Sequence, residues 1–255
     1  MKIIKVPTSQ GSLDKNIGTE LAPEILCKEI ECEEVFVTKG DMEATDAAIY
    51  SKAKEIFSNP KEKNHEKAIF VGGDHSITYN IFKAFSEKFE KPCLLIFDAH
   101  ADCDVFFKPV SHQDLNRAVV EEKLADTQDI IIIGIRKVFD VEEPFLKKNK
   151  IPTITAEEIH TNFEKSKEKL QNFIARQKNI YLSFDIDALD PSIAPGTGYL
   201  EENGLSKKQA FEMLEIVIKS GKVKTFDLVE INPKIDKDGK TISIGKKIIE
   251  RFLDE

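Results

Sequence analysis

The stretch Pro92-Cys93-Leu94-Leu95-Ile96-Phe97-Asp98-Ala99-His100-Ala101-Asp102-Cys103-Asp104 decides the fold. An apolar run ends abruptly in three side chains able to bind metal, at every second position. Side chains two apart on a strand share a face, so a persisting strand geometry would bring Asp98, His100 and Asp102 together beyond its end. Two carboxylates and an imidazole on one face would repel or lie unsatisfied in a core. A bound divalent cation resolves this, because it neutralises carboxylates and takes the imidazole lone pair.

On either side of this run, strand-like and helix-like segments alternate. Strands are expected over 2–6, 34–37, 68–71, 93–97, 129–135, 152–154, 180–184 and 223–229. Several are near-continuous apolar runs, such as Ile130-Ile131-Ile132-Ile133, the pattern of strands buried on both faces of a parallel sheet. Helices are expected over 44–57, 77–89, 113–124, 161–177, 207–220 and 245–253. Ile81, Phe82, Phe85 and Phe89 fall at three- and four-residue steps, with Ser76 as a candidate cap. Ser206 with Gln209 forms a candidate capping box. Such alternation implies right-handed βαβ crossovers and a sheet covered on both sides. The expected fold is an α/β three-layer αβα sandwich whose central sheet is mostly parallel and has about eight strands. No linker, repeat or low-complexity run divides the chain, so residues 1–255 are expected to form a single domain. The segment 61–67 reads as a charged loop with a solvated His65.

The composition, 41% hydrophobic and 32% charged, is ordinary for a soluble globular protein. No stretch approaches the ~18 consecutive apolar residues of a membrane helix. The start, Met1 to Val6, is too short and too charged for a signal peptide, so a cytoplasmic location is expected. A net charge of −8 argues against nucleic-acid or anionic-membrane binding and permits a cationic substrate. Cys27, Cys32, Cys93 and Cys103 include no CxxC pair, so structural thiols are expected rather than a zinc knuckle. Cys103, beside Asp102, is read as an inert thiol.

Ligands of open α/β sheets sit at the carboxyl ends of the strands. Every unusual polar cluster falls at such an end: Gly72-Gly73-Asp74-His75-Ser76, the 98–102 stretch, Asp185-Ile186-Asp187-Ala188-Leu189-Asp190, and Glu230-Ile231-Asn232-Pro233. Each alone has a plain explanation as a turn or a cap. Their coincidence at four strand ends is hard to obtain from packing needs. Calcium fits poorly, because two histidines favour a transition metal. His160 has no motif context and reads as a surface residue. Gly239-Lys240-Thr241 is not a phosphate loop, since Lys234 stands where the upstream glycine is required.

With these motifs in view, the sequence resembles the ureohydrolase superfamily of arginases, agmatinases and formimidoylglutamases. Gly73-Asp74-His75-Ser76, Asp98-Ala99-His100-Ala101-Asp102 and Ser183-Phe184-Asp185-Ile186-Asp187-Ala188-Leu189-Asp190-Pro191 carry the resemblance. It extends from Gly18-Thr19-Glu20-Leu21-Ala22-Pro23 to Val229-Glu230-Ile231-Asn232-Pro233, essentially the whole chain. The resemblance implies two manganese ions per chain. His75 and Asp102 would bind one, His100 and Asp187 the other, and Asp98 and Asp185 would contribute to both. It implies hydrolysis of a guanidino C–N bond by metal-activated hydroxide, releasing urea and an amine. Asp187 would assist proton transfer, Glu230 would pair with the guanidinium nitrogens, and His112 would shuttle protons. The family usually has Gly after that histidine, and here Gln113 follows.

Residues 194–198 are similar to the agmatinase version of a loop that continues here as Tyr199-Leu200-Glu201-Glu202-Asn203-Gly204-Leu205, where the family usually has a Pro- and Gly-richer run; the loop is expected near the substrate's far end. Asp104 stands where arginases carry an Asn that reads the amino-acid head. A carboxylate there suits a second amine, so agmatine is the expected substrate, with an arginase, a formimidoylglutamase or another guanidino-acid hydrolase as alternatives. A non-catalytic metal-binding homologue and a zinc deacetylase-like enzyme are the competing classes. Relatives commonly form trimers or hexamers, so a homo-oligomer is expected.

Overall fold

The computed structural model describes residues 1–58 and 67–254. The charged loop expected over 61–67, with His65, lies outside the described residues apart from Lys67.

The apolar runs form one parallel sheet. Strand β1 (Lys2–Val6) lies between β2 (Glu33–Glu34) and β3 (Ala68–Gly72). Beyond β3 follow, in spatial order, β8 (Val223–Val229), β7 (Asn179–Asp185), β4 (Pro92–Phe97), β5 (Ile130–Ile135) and β6 (Thr153–Thr155). All neighbouring pairs are parallel. The expected α/β sandwich is therefore present, with an all-parallel sheet of eight strands.

Period-2 alternation sorts the core into two layers. On β4, Cys93, Leu95 and Phe97 join the apolar cluster on one face, and Leu94 and Ile96 join the cluster on the other. The first cluster includes α1 (Ala22–Leu26), α6 (Ala156–Thr161), α7 (Phe163–Arg176), α8 (Lys207–Lys219) and α9 (Lys240–Leu253). The second includes α2 (Met42–Ser58), α3 (Ile77–Lys88), α4 (Leu115–Glu121) and α5 (Glu143–Asn149). The sheet is covered on both faces, so its central strands are largely apolar; the buried polar exceptions within them include Ser183 on β7 and Thr225 and Asp227 on β8.

Several boundaries differ from the sequence reading. The strand expected over 34–37 is only Glu33–Glu34, at the sheet edge, and Phe36 beyond it is 80% exposed. The helix expected over 161–177 runs over Phe163–Arg176, with the Asn162 side chain accepting from Lys165 N as its cap. Before it stands a short helix that was not expected, Ala156–Thr161, opened by a capping box of Thr155 and Glu158. Helix α9 starts at Lys240 rather than Gly245, and α4 is shorter than the expected 113–124. Ser76 has helical backbone angles and its side chain caps nothing; instead Asp74 Oδ1 accepts from Ser76 N at 3.0 Å. The capping box of Ser206 and Gln209 is formed.

Candidate metal centre

The four polar clusters fall at the ends of four adjacent central strands, β3, β8, β7 and β4. Sheet register brings them together. Phe97 pairs with Phe184, so Asp98 and Asp185 leave the sheet side by side. Asp185 pairs with Val229, which puts Glu230 next along.

The convergence of Asp98, His100 and Asp102 does not come from continued strand geometry. Strand β4 ends at Phe97. His100 N then donates to Asp98 Oδ1 at 2.6 Å, and Asp187 N donates to Asp185 Oδ1 at 2.8 Å. Asp is suited to this, because its short side chain can bond the backbone two residues on. Asp102 adopts a left-handed backbone, φ 47°, as does Glu230 at φ 64°. Such angles cost a non-glycine residue about 1–2 kcal/mol and concentrate at functional sites. Gly73 is required sterically: a Cβ there would lie 1.7 Å from the Thr8 carbonyl oxygen. The same close approach lets Asp74 N reach Thr8 O at 3.0 Å.

All six expected ligands are buried and meet at one place. His75 Nδ1 lies 3.2 Å from Asp98 Oδ2, 3.1 Å from Asp102 Oδ2 and 3.3 Å from Asp185 Oδ2. His100 Nδ1 lies 2.9 Å from Asp187 Oδ2 and 3.6 Å from Asp98 Oδ1. The two oxygens of Asp98 thus face two different histidines. Two groups have the composition of a cation site: His75, Asp98 and Asp185, and Asp98, His100 and Asp187. Among the described residues, neither His75 Nδ1 nor Asp98 Oδ2 has a hydrogen-bond partner of good geometry. Separations near 3 Å are those of donors sharing one ion at bond lengths of about 2.1 Å. The donor set therefore fits two divalent cations.

Electrostatics gives the same answer. Burial and the Asp98 charge push Asp102 up to about 8, and burial with the Asp187 and Asp98 charges pushes Asp185 well above the usual carboxylate range. Burial disfavours charge on His75, but Asp102, Asp185 and Asp98 hold its proton well above the ordinary range. Four carboxylates here need positive charge; two divalent ions would balance their −4.

Glu230 is buried beside this cluster. Its Oε1 accepts from His75 N at 2.7 Å and faces His112 Nδ1 at 3.1 Å, and its Oε2 accepts from Asn16 Nδ2. Burial opposes ionisation, yet His112 and these donors hold the Glu230 carboxyl below its usual value. Burial alone would lower His112, but the Glu230 carboxylate brings it up to about 9. The residues lie in a cleft of about 370 Å³ whose lining includes Asp104, Asp140, Glu142, Phe139, Gln113 and Tyr199. Two wider, open grooves of about 950 Å³ on the α6–α8 side lack such a buried cluster and are lined largely by surface charges.

Asp104 lines the cleft, half-buried, with Oδ1 accepting from Val105 N. Of the loop expected near the substrate's far end, Tyr199 reaches the cleft lining, while Gly196 is tied to Thr241 and Asn232. His160 is exposed, as expected. Cys103 is buried, and burial pushes its thiol well up, which suits an inert thiol. Sequence reasoning missed Asn16 and Arg136 and gave Asn232 no role of its own. Asn16 and Asn232 bond each other at 2.7 Å behind Glu230. Arg136 donates to the carbonyls of Asp187 and Glu201 at 2.8 Å, tying a candidate ligand's backbone to the 199–204 loop.

Comparison with known proteins bears on this geometry. The family model described as Arginase family matches residues 3–254. A guanidinobutyrase of Pseudomonas aeruginosa is 35% identical over 190 residues, covering 72% of this chain and 58% of that protein. An agmatinase of Neisseria meningitidis is 30% identical, covering 88% of this chain and 69% of its own. The match to a human mitochondrial guanidino acid hydrolase covers 53% of that protein, so the chain aligns with little more than half the length of the first relatives. In fold, arginase from Bacillus subtilis superposes with a TM-score of 0.87 at 20% identity, covering 100% of this chain and 98% of that one. With a family model spanning nearly its whole length, the chain belongs to the arginase family.

Proposed function

We propose that the protein is a binuclear manganese-dependent hydrolase that cleaves a guanidino C–N bond, releasing urea and an amine, and that agmatine is its preferred substrate. The observation that carries this reading is Asp98, whose two oxygens face His75 and His100 at 3.2 and 3.6 Å in a fully buried cluster. His75 and Asp102 would hold one ion, His100 and Asp187 the other, with Asp98 and Asp185 shared. When bound, the two ions would supply a hydroxide nucleophile near neutral pH by acidifying water.

The chain's own groups provide the rest. Glu230 is held ionised and presents its carboxylate to a guanidinium nitrogen. His112, pushed up to about 9, carries a proton at neutral pH. Its buried Nε2 has no hydrogen-bond partner among the described residues, so that proton is free to go to the departing amine. Asp187, whose Oδ2 lies 2.9 Å from His100 Nδ1, would assist proton transfer.

The cleft lining favours a cationic tail. It holds Asp104 and Asp140, with the Glu142 carboxylate bonded to the Cys103 and Phe139 amides, and among the described residues lining it there is no Lys or Arg. A substrate carboxylate would meet these charges unpaired. The reading of a guanidino-acid hydrolase keeps one observation in its favour, the 35% identity to a guanidinobutyrase. Lys137, 5.2 Å above the Phe139 ring, is the cation such a substrate would use. We extend the proposal to a single-domain, cytoplasmic homo-oligomer. Urea release from agmatine, arginine and 4-guanidinobutanoate with added manganese tests the substrate. The highest kcat/KM is expected for agmatine; preference for either acid contradicts it, and no urea from any favours a non-catalytic homologue.

A further inference from the structure

Beneath the metal cluster lies a second polar layer that none of the roles above uses. Asp227, on β8, is wholly buried. Its carboxylate accepts from three hydroxyls: Ser183 Oγ at 2.6 Å, Thr78 Oγ1 at 2.8 Å and Tyr181 OH. Ser183 Oγ in turn lies 2.9 Å from His75 Nε2. The opposite nitrogen of that ring, Nδ1, faces Asp98, Asp102 and Asp185.

Donor counting fixes the direction of each bond. An ionised carboxylate only accepts, so Ser183 gives its single proton to Asp227. Its lone pairs are then left to accept, so the hydrogen between Ser183 and His75 belongs to Nε2. A neutral imidazole with hydrogen at Nε2 carries its free lone pair at Nδ1, the atom aimed at the three carboxylates. We infer that Asp227 and Ser183 form a positioning relay that fixes the tautomer and ring angle of His75, so that its Nδ1 lone pair points at a cation. Such outer partners commonly set metal affinity by factors of about 10–100.

The other histidine has no such support. His100 Nε2 is buried without a hydrogen-bond partner among the described residues, and Glu201 Oε1 is 3.8 Å away. The relay therefore serves one ion of the pair. This inference rests on the two-ion reading of the centre.

The test is a Mn²⁺ titration of the metal-free full chain, followed by electron paramagnetic resonance, with the metal-free Tm measured in parallel. The wild type should show two binding steps. Ser183→Ala and the isosteric Asp227→Asn should each raise, by about 10–100-fold, the Kd of the one step that His75→Asn abolishes, and leave the other step unchanged. Tyr181→Phe breaks another bond of the same carboxylate; it should lower Tm and leave both steps alone. The relay is overturned if Ser183→Ala and Asp227→Asn leave both steps unchanged or weaken both equally, or if Tyr181→Phe weakens the His75 step as much. A wild-type chain that binds no ion overturns the two-ion centre itself, and the relay with it.

Discussion

On the proposed reading, Glu230 and Asp104 would divide the recognition of a substrate between its two ends. Glu230 takes no part in either cation group, so Glu230→Gln should leave metal content unchanged. Removing a charge-assisted hydrogen bond of about 1.5–3 kcal/mol should lower kcat/KM by about 10–100-fold. Unchanged kcat/KM would mean that the guanidinium binds elsewhere. Asp104 stands at the cleft wall, half-buried. Its replacement by Asn removes one charge from the path of the substrate's tail, worth roughly 1 kcal/mol across ~4 Å in water. The ratio of agmatine to arginine turnover should fall about fivefold in Asp104→Asn, and an unchanged ratio would place the tail away from this residue. At this scale the sequence was informative wherever a side chain belongs to a compact motif. The six candidate ligands sit in three short stretches. Asn16 was not legible, because it reaches Glu230 across 214 positions and no local pattern marks it.

At the scale of elements, the turn after β3 is the tightest part of the site. An added methyl at Gly73 would meet the Thr8 backbone oxygen at 1.7 Å, and a backbone atom cannot step aside as a flexible side chain does. Gly73→Ala should destabilise the fold by about 3 kcal/mol, as core overpacking does, read as a lower urea midpoint; a wild-type midpoint would show that the turn can relax. Helix α2 carries a different kind of frustration. Burial pushes Asp46 up to about 7, with Asp74 and Glu43 adding to it against the Asn80 amide. A carboxyl raised in the folded state stabilises fully below its unfolded value of 3.8, and that contribution is lost as pH rises through about 7. Asp46→Asn should therefore gain on the wild type as pH rises from 4 to 8, with Tm ahead by at least about 2–4 °C at pH 8. A Tm difference that stays constant over this range would contradict the shift. The central strands were legible as apolar runs because they are buried on both faces. Edge strand β2 was misplaced because the sheet covers only one side of it. Helix α6 was missed because six residues are too few to show a helical period, although Thr155 and Glu158 form its capping box.

At the scale of the whole molecule, the fold gathers four strand ends and leaves their charges to be balanced from outside. Ligand binding to the folded state alone stabilises it by about 2.7 kcal/mol per site at 100-fold excess over Kd. Manganese should therefore raise Tm by at least about 5 °C over chelator-treated protein, and an unchanged Tm would mean that the cluster holds no ion. Among the described residues no helix is long and apolar enough to cross a membrane. The two-ion centre is tested most directly by counting manganese per chain after reconstitution and desalting, in the wild type and in Asp98→Asn. The expected result is two ions per wild-type chain and fewer than one in the variant, because the lost charge faces both sites. One ion or none in the wild type, or two retained by Asp98→Asn, would contradict a centre bridged by Asp98.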